Sequence, residues 1–175
     1  MENNEYYRCN VIVCGAAIGK TYLAEHDNRF IDLDDIKANY KYGLENATRE
    51  EKEFGKLNRG QVVNDNSTEY AIKILEKEIK KGNIILISSG SKHLLKYIVE
   101  NNIKYCLVYA GENLQEEYEK RMRERKNNKK FIDKMINNQA WKESYIKNKN
   151  DERPTYKVEL GSGEYLSDIK ERFFE

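Results

Sequence analysis

Short apolar runs alternate with amphipathic stretches along most of the chain. The apolar runs are rich in Ile, Val, Leu and Tyr, which is typical of buried strands, and they cover residues 7–14, 29–34, 83–90, 103–111 and 155–160. The stretches between them repeat apolar residues at helical spacing, most clearly at 66–82, 113–127 and 131–149. Strands that alternate with helices predict an α/β fold, a mostly parallel sheet with helices on both faces.

Composition limits the classes of protein that the chain can belong to. Its 175 residues predict a single domain, 1–175, with enough chain for a core. Thirty-one basic and 30 acidic residues leave a net charge of +1, so a broad basic face for nucleic acid is not favoured, although a local patch is compatible with that total. The three cysteines, an odd number without C-x-x-C spacing, predict neither a disulfide framework nor a zinc site.

Location and assembly follow less directly from the sequence. No apolar run approaches the roughly 20 residues that cross a bilayer, and the polar start MENNEYYRCN does not look like a signal peptide. We therefore expect a cytoplasmic protein with no membrane partner. A monomer and a homodimer both remain open.

The loop after the first strand carries the strongest chemical signal. The segment VIVCGAAIGKT, residues 11–21, follows the phosphate-binding pattern G-x-x-x-x-G-K-[ST] except that Cys14 replaces the first Gly. Gly15 would supply part of the backbone freedom lost at Cys14. The alternative is a strand-to-helix turn with an incidental GKT. The residues expected to hold ATP phosphates are Gly15, Ala16, Ala17, Ile18, Gly19, Lys20, Thr21 and Tyr22.

Carboxylates and serines follow the next two strands. Asp32 and Asp34 end the second strand, where ligands bind in doubly wound sheets. Thr21 and Asp32 are expected to hold Mg²⁺, and Asp34 is expected to face the acceptor and accept a proton or hold a hydroxyl. The alternative for Asp34 and Asp35 is helix capping. Ser89 ends the third strand, where many ATPases have an Asp, and is assigned either to the acceptor or to a helix N-cap.

Arginines supply candidate cations for the phosphates. Arg121 and Arg125 lie four residues apart and share a helix face, which suits a polyphosphate, although Glu–Arg pairing on a solvated helix is the alternative. Arg49 and Arg59 are candidates for an acceptor phosphate, with surface salt bridges as the alternative. Arg153 and the loop at 161–165 are placed where an adenine could rest.

These segments together resemble a known family. The order CGAAIGKT, FIDLDD, a strand ending in SSG, LVYAGENLQEEYEKRMRERKN and KVELGSGEYLSDI is similar to the P-loop nucleoside and nucleotide kinases, most of all the small phage-type deoxynucleoside monophosphate kinase-like proteins. The resemblance implies a three-layer P-loop NTPase fold with a five-stranded parallel sheet in the order 2-3-1-4-5. It also implies an acceptor-binding region at 36–66, a helical lid at 113–147, and lid arginines at Arg121 and Arg125.

The expected function is an ATP- and Mg²⁺-dependent phosphotransferase acting on a nucleoside monophosphate. One alternative is a polynucleotide 5′-kinase, or another small-molecule P-loop kinase, in which Asp34 acts as the base. A second alternative belongs to a different class. It is a non-catalytic nucleotide-binding regulatory module, with its loop weakened at Cys14.

Overall fold

Five parallel strands form one sheet in the computed structural model, which describes residues 6–58 and 61–174. The strand order is β2-β3-β1-β4-β5, and every neighbouring pair is parallel, so the predicted α/β class and strand order are confirmed. The strands are β1 (Val11–Cys14), β2 (Phe30–Asp32), β3 (Ile84–Ser88), β4 (Tyr105–Ala110) and β5 (Tyr156–Leu160).

Helices occupy the connections between the strands. The α-helices are α1 (Lys20–His26), α2 (Leu33–Lys41), α3 (Arg49–Asn58), α4 (Ser67–Lys80), α5 (Lys92–Glu100), α6 (Gln115–Glu124), α7 (Lys129–Ile136) and α8 (Asn138–Asn150). Two 3-10 helices, Glu112–Leu114 and Leu166–Phe173, precede α6 and follow β5. Within the described ranges, none of these helices has the length and apolarity that a bilayer crossing requires.

The core lies on both faces of the sheet. Along β1, Ile12 and Cys14 pack into one apolar cluster, and Val11 and Val13 pack into another, as the alternation of a strand requires. The first cluster includes residues of α1, α6 and α7, and the second includes residues of α2, α4, α5 and α8. A strand covered on both faces must be apolar throughout, which explains why β1 and β3 read as continuous hydrophobic runs.

Two predicted element boundaries are wrong. The second strand ends at Asp32 rather than residue 34, because the Asp32 side chain accepts a hydrogen bond from the Asp35 amide (3.2 Å) and caps α2. Asp32 is thus the cap, in place of the expected Asp34 or Asp35. The long helix predicted at 131–149 is divided at Asn137, whose side chain accepts bonds from the first amides of α8.

The carboxyl ends of the strands define where ligands can reach the sheet. The loop 15–19 follows β1, Asp32 ends β2, and Ser88 ends β3. After β1 the chain continues to β2 at one edge of the sheet, whereas after β4 it continues to β5 at the opposite edge. The neighbouring strands β1 and β4 therefore flank a topological switch point, the usual place for a binding crevice in an open α/β sheet.

Candidate functional site

The loop between β1 and α1 takes left-handed backbone angles at two positions. Gly19 has φ 98° and Ala17 has φ 59°, whereas Gly15 does not lie in this region. The expectation that Gly15 compensates for the missing glycine at Cys14 is therefore wrong, since the conformation requires glycine at Gly19 instead. An alanine with positive φ is uncommon and is held only where the surroundings impose it, as they often do at binding loops.

Cys14 belongs to the strand and not to the loop. It is the last residue of β1, its exposure is 0%, and its thiol donates to the Ile87 carbonyl oxygen at 3.6 Å. Burial raises the pKa of the Cys14 thiol to about 12, so the group stays protonated at neutral pH. The Cys14 side chain packs in the core. Replacing the glycine of the pattern by this cysteine therefore adds no side chain to the space beside the loop.

We expect the Cys14→Gly variant, which restores the glycine of the pattern, to be less stable than the wild type. Removing a buried side chain and adding a flexible residue within a strand should lower the free energy of unfolding by about 1–3 kcal/mol. Urea unfolding measures the difference, with Cys14→Ala as the control that removes the sulfur but keeps the backbone restricted. A Cys14→Gly chain of unchanged stability would contradict this placement of the thiol.

Four side chains converge beside the loop. The Lys20 ammonium donates to Asp32 Oδ1 at 2.7 Å and to Asp34 Oδ2 at 3.1 Å. The Thr21 hydroxyl donates to Asp32 Oδ2 at 3.2 Å. Lys20 and Asp32 are largely buried, with side-chain exposures of 17% and 7%. The structure thus brings together the cation, hydroxyl and carboxylates that the sequence assigned to phosphate, metal and acceptor.

The charge of Lys20 is secured by its neighbours. Burial by itself lowers the pKa of a lysine, but the Asp32 and Asp34 carboxylates outweigh burial and raise the Lys20 pKa above its ordinary value. Lys20 is therefore a permanent cation at neutral pH. Because both carboxylates are also hydrogen-bonded elsewhere, an incoming anion can replace them as partners of Lys20 without leaving either one unpaired.

Asp34 is fixed from the end of β3. Its carboxylate accepts hydrogen bonds from the Ser88 amide and from the Ser91 hydroxyl. Ser89, the serine expected at the acceptor, instead donates its amide to the Cys14 carbonyl at 2.9 Å, and its side chain has no hydrogen bond to Asp34. The contact of Ser91 with Asp34 was missed from the sequence.

A cavity beside Asp34 contains two further cations that the sequence reasoning missed. Its volume is about 490 Å³, and Lys20, Asp34, Lys37, Lys41 and Ser91 line part of it. The pKa of Lys37 lies below its ordinary value, mainly because the side chain is partly buried. Asp34 raises this pKa, and the charge of Lys41 lowers it. The only signal in the sequence was the spacing of the two lysines, four residues apart on one helix.

Arg59, the other arginine suggested for an acceptor phosphate, lies outside the described residues.

A second cavity joins the loop to the arginines. It has a volume of about 700 Å³ and lies between the loop, α1, α3 and α6. Its lining includes Gly19, Thr21, Tyr22, Arg49, Arg121, Arg125 and Tyr165. The structure therefore brings Arg49, Arg121 and Arg125 together on the loop side, although Arg49 was assigned to the acceptor. We call this the arginine cavity.

Arg121 is held rigidly at the edge of this cavity. Only 6% exposed, it donates to the Glu164 carbonyl at 3.0 Å and to the Glu117 carboxylate. Its guanidinium lies 3.8 Å from the centre of the Tyr165 ring and 4.6 Å from that of Tyr118. Arg121, expected as a lid arginine, is thus fastened to the loop at 161–165, and the alternative Glu117 pairing is present on a buried rather than a solvated residue.

Tyr165 was not singled out from the sequence, although its loop was. The Tyr165 ring closely covers Gly19, since a Cβ added at Gly19 would lie 3.3 Å from the ring. The next amide, that of Leu166, donates to the Ile18 carbonyl at 3.0 Å. Glu117 orders the same loop by accepting from the Gly163 amide (3.0 Å) and the Ser162 hydroxyl (2.8 Å). The loop at 15–19 and the loop at 161–165 thus form one surface.

Arg153 lies away from this site. It precedes β5, whose first residue Tyr156 pairs with Cys106 near the start of β4, so Arg153 is at the amino-terminal edge of the sheet. Its guanidinium pairs with Asp151 at 2.6 Å. The structure does not bring Arg153 to the loop, because parallel strands separate their two edges by the full length of the strand.

The donor set beside the loop fits Mg²⁺ only in part. Across the described ranges, no cluster of three or more His, Cys, Asp or Glu side chains could hold a metal. Thr21 and Asp32 nevertheless offer a hydroxyl and a carboxylate 3.2 Å apart. Mg²⁺ commonly takes one or two protein ligands and completes its shell with water and substrate phosphate, so these two residues are compatible with it.

Comparison with known proteins names no family for this chain. The sequence matches no protein-family model, and no curated protein matches it significantly. Any functional assignment therefore depends on the residues and their geometry.

Proposed function

We propose that the chain is a P-loop-type kinase that transfers the γ-phosphate of ATP, with Mg²⁺, to a nucleoside monophosphate. The observation that carries this proposal is the convergence of Lys20 and Thr21 with Asp32 and Asp34. Lys20 lies 2.7 and 3.1 Å from the two carboxylates, and the Thr21 hydroxyl lies 3.2 Å from Asp32. Phosphoryl transfer needs a fixed cation, a metal position and an acceptor-facing group close together, and these side chains supply all three.

The donor is proposed to occupy the arginine cavity. Its triphosphate would lie along the loop between Lys20 and the guanidiniums of Arg121 and Arg125, which provide positive charge where the transferred group develops negative charge. The exposed part of the Tyr165 ring offers a flat surface for the adenine. When bound at Thr21 and Asp32, Mg²⁺ would supply charge neutralisation for the phosphate oxygens.

The acceptor is proposed to bind on the other side of Lys20, in the cavity beside Asp34. Lys37 and Lys41 line that cavity and suit the phosphate of a nucleotide. Asp34 is held in place by the Ser88 amide and the Ser91 hydroxyl, so it can accept a hydrogen bond from an acceptor hydroxyl in a fixed direction. Lys20 lines this cavity, and its neighbours Gly19 and Thr21 line the arginine cavity, so Lys20 would then touch the phosphoryl group as it moves.

Exchange of the partners of Lys20 is the step that this geometry implies. A bound triphosphate would draw the Lys20 ammonium from Asp34, which frees one oxygen of that carboxylate for the acceptor. Asp34 and Asp32 keep their other donors, Ser91 and Thr21, throughout the exchange. The region 113–147 is proposed to act as the lid that excludes water from the transfer.

A panel of acceptors tests the proposal. Radiolabelled ATP with Mg²⁺ is incubated with the ribo- and deoxyribonucleoside monophosphates and with an oligonucleotide that has a 5′-hydroxyl. Labelled nucleoside diphosphate is the expected product. Transfer to the oligonucleotide alone would instead support a polynucleotide 5′-kinase, a reading that the two cations beside Asp34 also permit.

A non-catalytic nucleotide-binding module is the second candidate. It is favoured by one observation, namely that the protein's own carboxylates already hold Lys20. A module of this kind would bind ATP and change conformation without transferring phosphate. ATP binding accompanied by no labelled product from any acceptor would decide for it.

A further inference from the structure

A third cavity borders the loop at Gly15 and Ala16, away from the residues that contact Lys20. It has a volume of about 190 Å³ and is lined by the end of β4 and by residues of α6, α7 and α8. Gly15 follows β1, and Tyr109 and Ala110 end β4. The cavity therefore lies at the switch point between β1 and β4, where open α/β sheets bind ligands. We call it the tryptophan cavity.

Four aromatic rings and two thioethers form part of its wall. The Tyr118 and Trp141 rings lie 5.5 Å apart at 58°, and Tyr109 and Tyr145 lie 6.1 Å apart at the same angle. Met122 and Met135 complete this apolar lining. Flat faces flanked by polarizable sulfur favour an aromatic ring over an aliphatic chain or an ion.

Several polar groups at the cavity have no partner. Tyr118 is 1% exposed, and its hydroxyl has no hydrogen bond to any described residue. The side chains of Lys134, Ser144 and Asn148 also line the cavity without a hydrogen bond or ion pair to the described part of the chain; Lys134 and Ser144 are exposed to solvent, and Asn148 is half-buried. A buried unpaired hydroxyl is rare in folded proteins, and such groups are usually satisfied by a ligand or water. The Tyr118 hydroxyl has almost no accessible surface, so the polar groups that the edge of a ligand can reach are those of Ser144 and Asn148.

We propose that the tryptophan cavity binds a neutral heteroaromatic ring of nucleobase size, as a site separate from the arginine cavity and from Asp34. The volume of about 190 Å³ is enough for one such ring, given that an apolar cavity of about 150 Å³ holds benzene. The ring packs against Tyr118 and Trp141, and its polar edge faces Ser144 and Asn148. Because the ring also contacts Gly15 and Ala16, its binding stiffens the phosphate loop.

This inference does not depend on phosphoryl transfer, and Trp141 allows a direct test. Trp141 is the single tryptophan of the chain and lines this cavity, so its fluorescence is a probe of the site. The full-length protein is titrated with adenosine, guanosine, cytidine and thymidine, none of which has a phosphate. At least one is expected to change the fluorescence in a saturable way.

Two variants fill the cavity, and one matched control does not. Ala140→Leu and Ser144→Leu add bulk to its wall and should weaken nucleoside binding about tenfold or more. Gln139→Leu adds the same group at an exposed position of α8 that is not part of the lining, and it should bind as the wild type does. Thermal unfolding of each variant verifies that it folds.

Competition separates this proposal from the proposed function. Lys20→Met should retain nucleoside binding, and saturating inorganic triphosphate, which has no ring, should not displace the nucleoside. The inference is overturned by the absence of any saturable signal at millimolar nucleoside. It is equally overturned by full affinity in both filled variants, or by displacement with triphosphate. Absence of phosphoryl transfer would refute the proposed kinase function without affecting the proposed ring site in the tryptophan cavity.

Discussion

Lys20→Met is expected to abolish phosphoryl transfer, lowering kcat/KM by at least about 10³-fold, while the chain still folds. The methionine keeps the length of the side chain but removes the charge that would touch the transferred group. Lys20 is only 17% exposed, so no mobile solvent cation can take its place with the same geometry. Turnover of labelled ATP with the best acceptor measures the loss of activity. Far-UV circular dichroism shows whether the variant still folds.

The matched control for this variant is Lys96→Met. Lys96 lies in α5, where it forms an exposed pair with Glu100 at 3.6 Å, and it lines none of the three cavities. An exposed pair of this kind contributes little to stability, so Lys96→Met should keep wild-type activity. Wild-type-like turnover in Lys20→Met would remove Lys20 from the site and refute the assignment.

Asp34→Asn is expected to lower kcat about 100-fold while ATP binding is retained. The amide keeps the shape of the carboxylate but loses the charge that holds Lys20, and one of its two ends can no longer accept the Ser88 amide or the Ser91 hydroxyl. Both Lys20 and the acceptor should then be misplaced. Steady-state kinetics give kcat, and calorimetry gives the affinity for ATP.

The acceptor decides how this second variant is interpreted. A nucleoside monophosphate attacks through its phosphate and needs no base, whereas a 5′-hydroxyl must lose a proton to Asp34. A loss near 10⁴-fold that appears only with hydroxyl acceptors would therefore indicate general-base catalysis and a 5′-kinase. Glu100→Gln, which removes one exposed carboxylate, should change neither quantity. Full activity of Asp34→Asn with every acceptor would contradict the role of Asp34.

The sheet was largely predictable because its signal is local. Each strand of a buried parallel sheet is apolar on both faces. The strands β1, β3 and β4 can therefore be recognised in the sequence as apolar runs, without knowledge of the strands beside them. The strand order came from the resemblance to P-loop kinases, since periodicity does not specify order. The end of β2 was misplaced because capping by Asp32 depends on one hydrogen bond that alternation cannot reveal.

The candidate site was predictable only where it is contiguous in sequence. Lys20 and Thr21 follow from the loop pattern, and Asp32 and Asp34 follow from their position after a strand. Ser91 and Tyr165 reach the site from distant parts of the chain through packing, and no pattern marks them. Cys14 was correctly included in the strand predicted at 7–14, but the loop pattern by itself does not show that its side chain is buried.

Isothermal titration calorimetry of the wild-type protein with Mg²⁺ and ATP tests the central claim most directly. The account predicts saturable binding at one loop site, lost in Lys20→Met and retained in Lys96→Met, because the ammonium moves from Asp32 and Asp34 to the phosphates. No detectable heat with ATP or GTP at millimolar concentration, or equal binding by Lys20→Met, would contradict it.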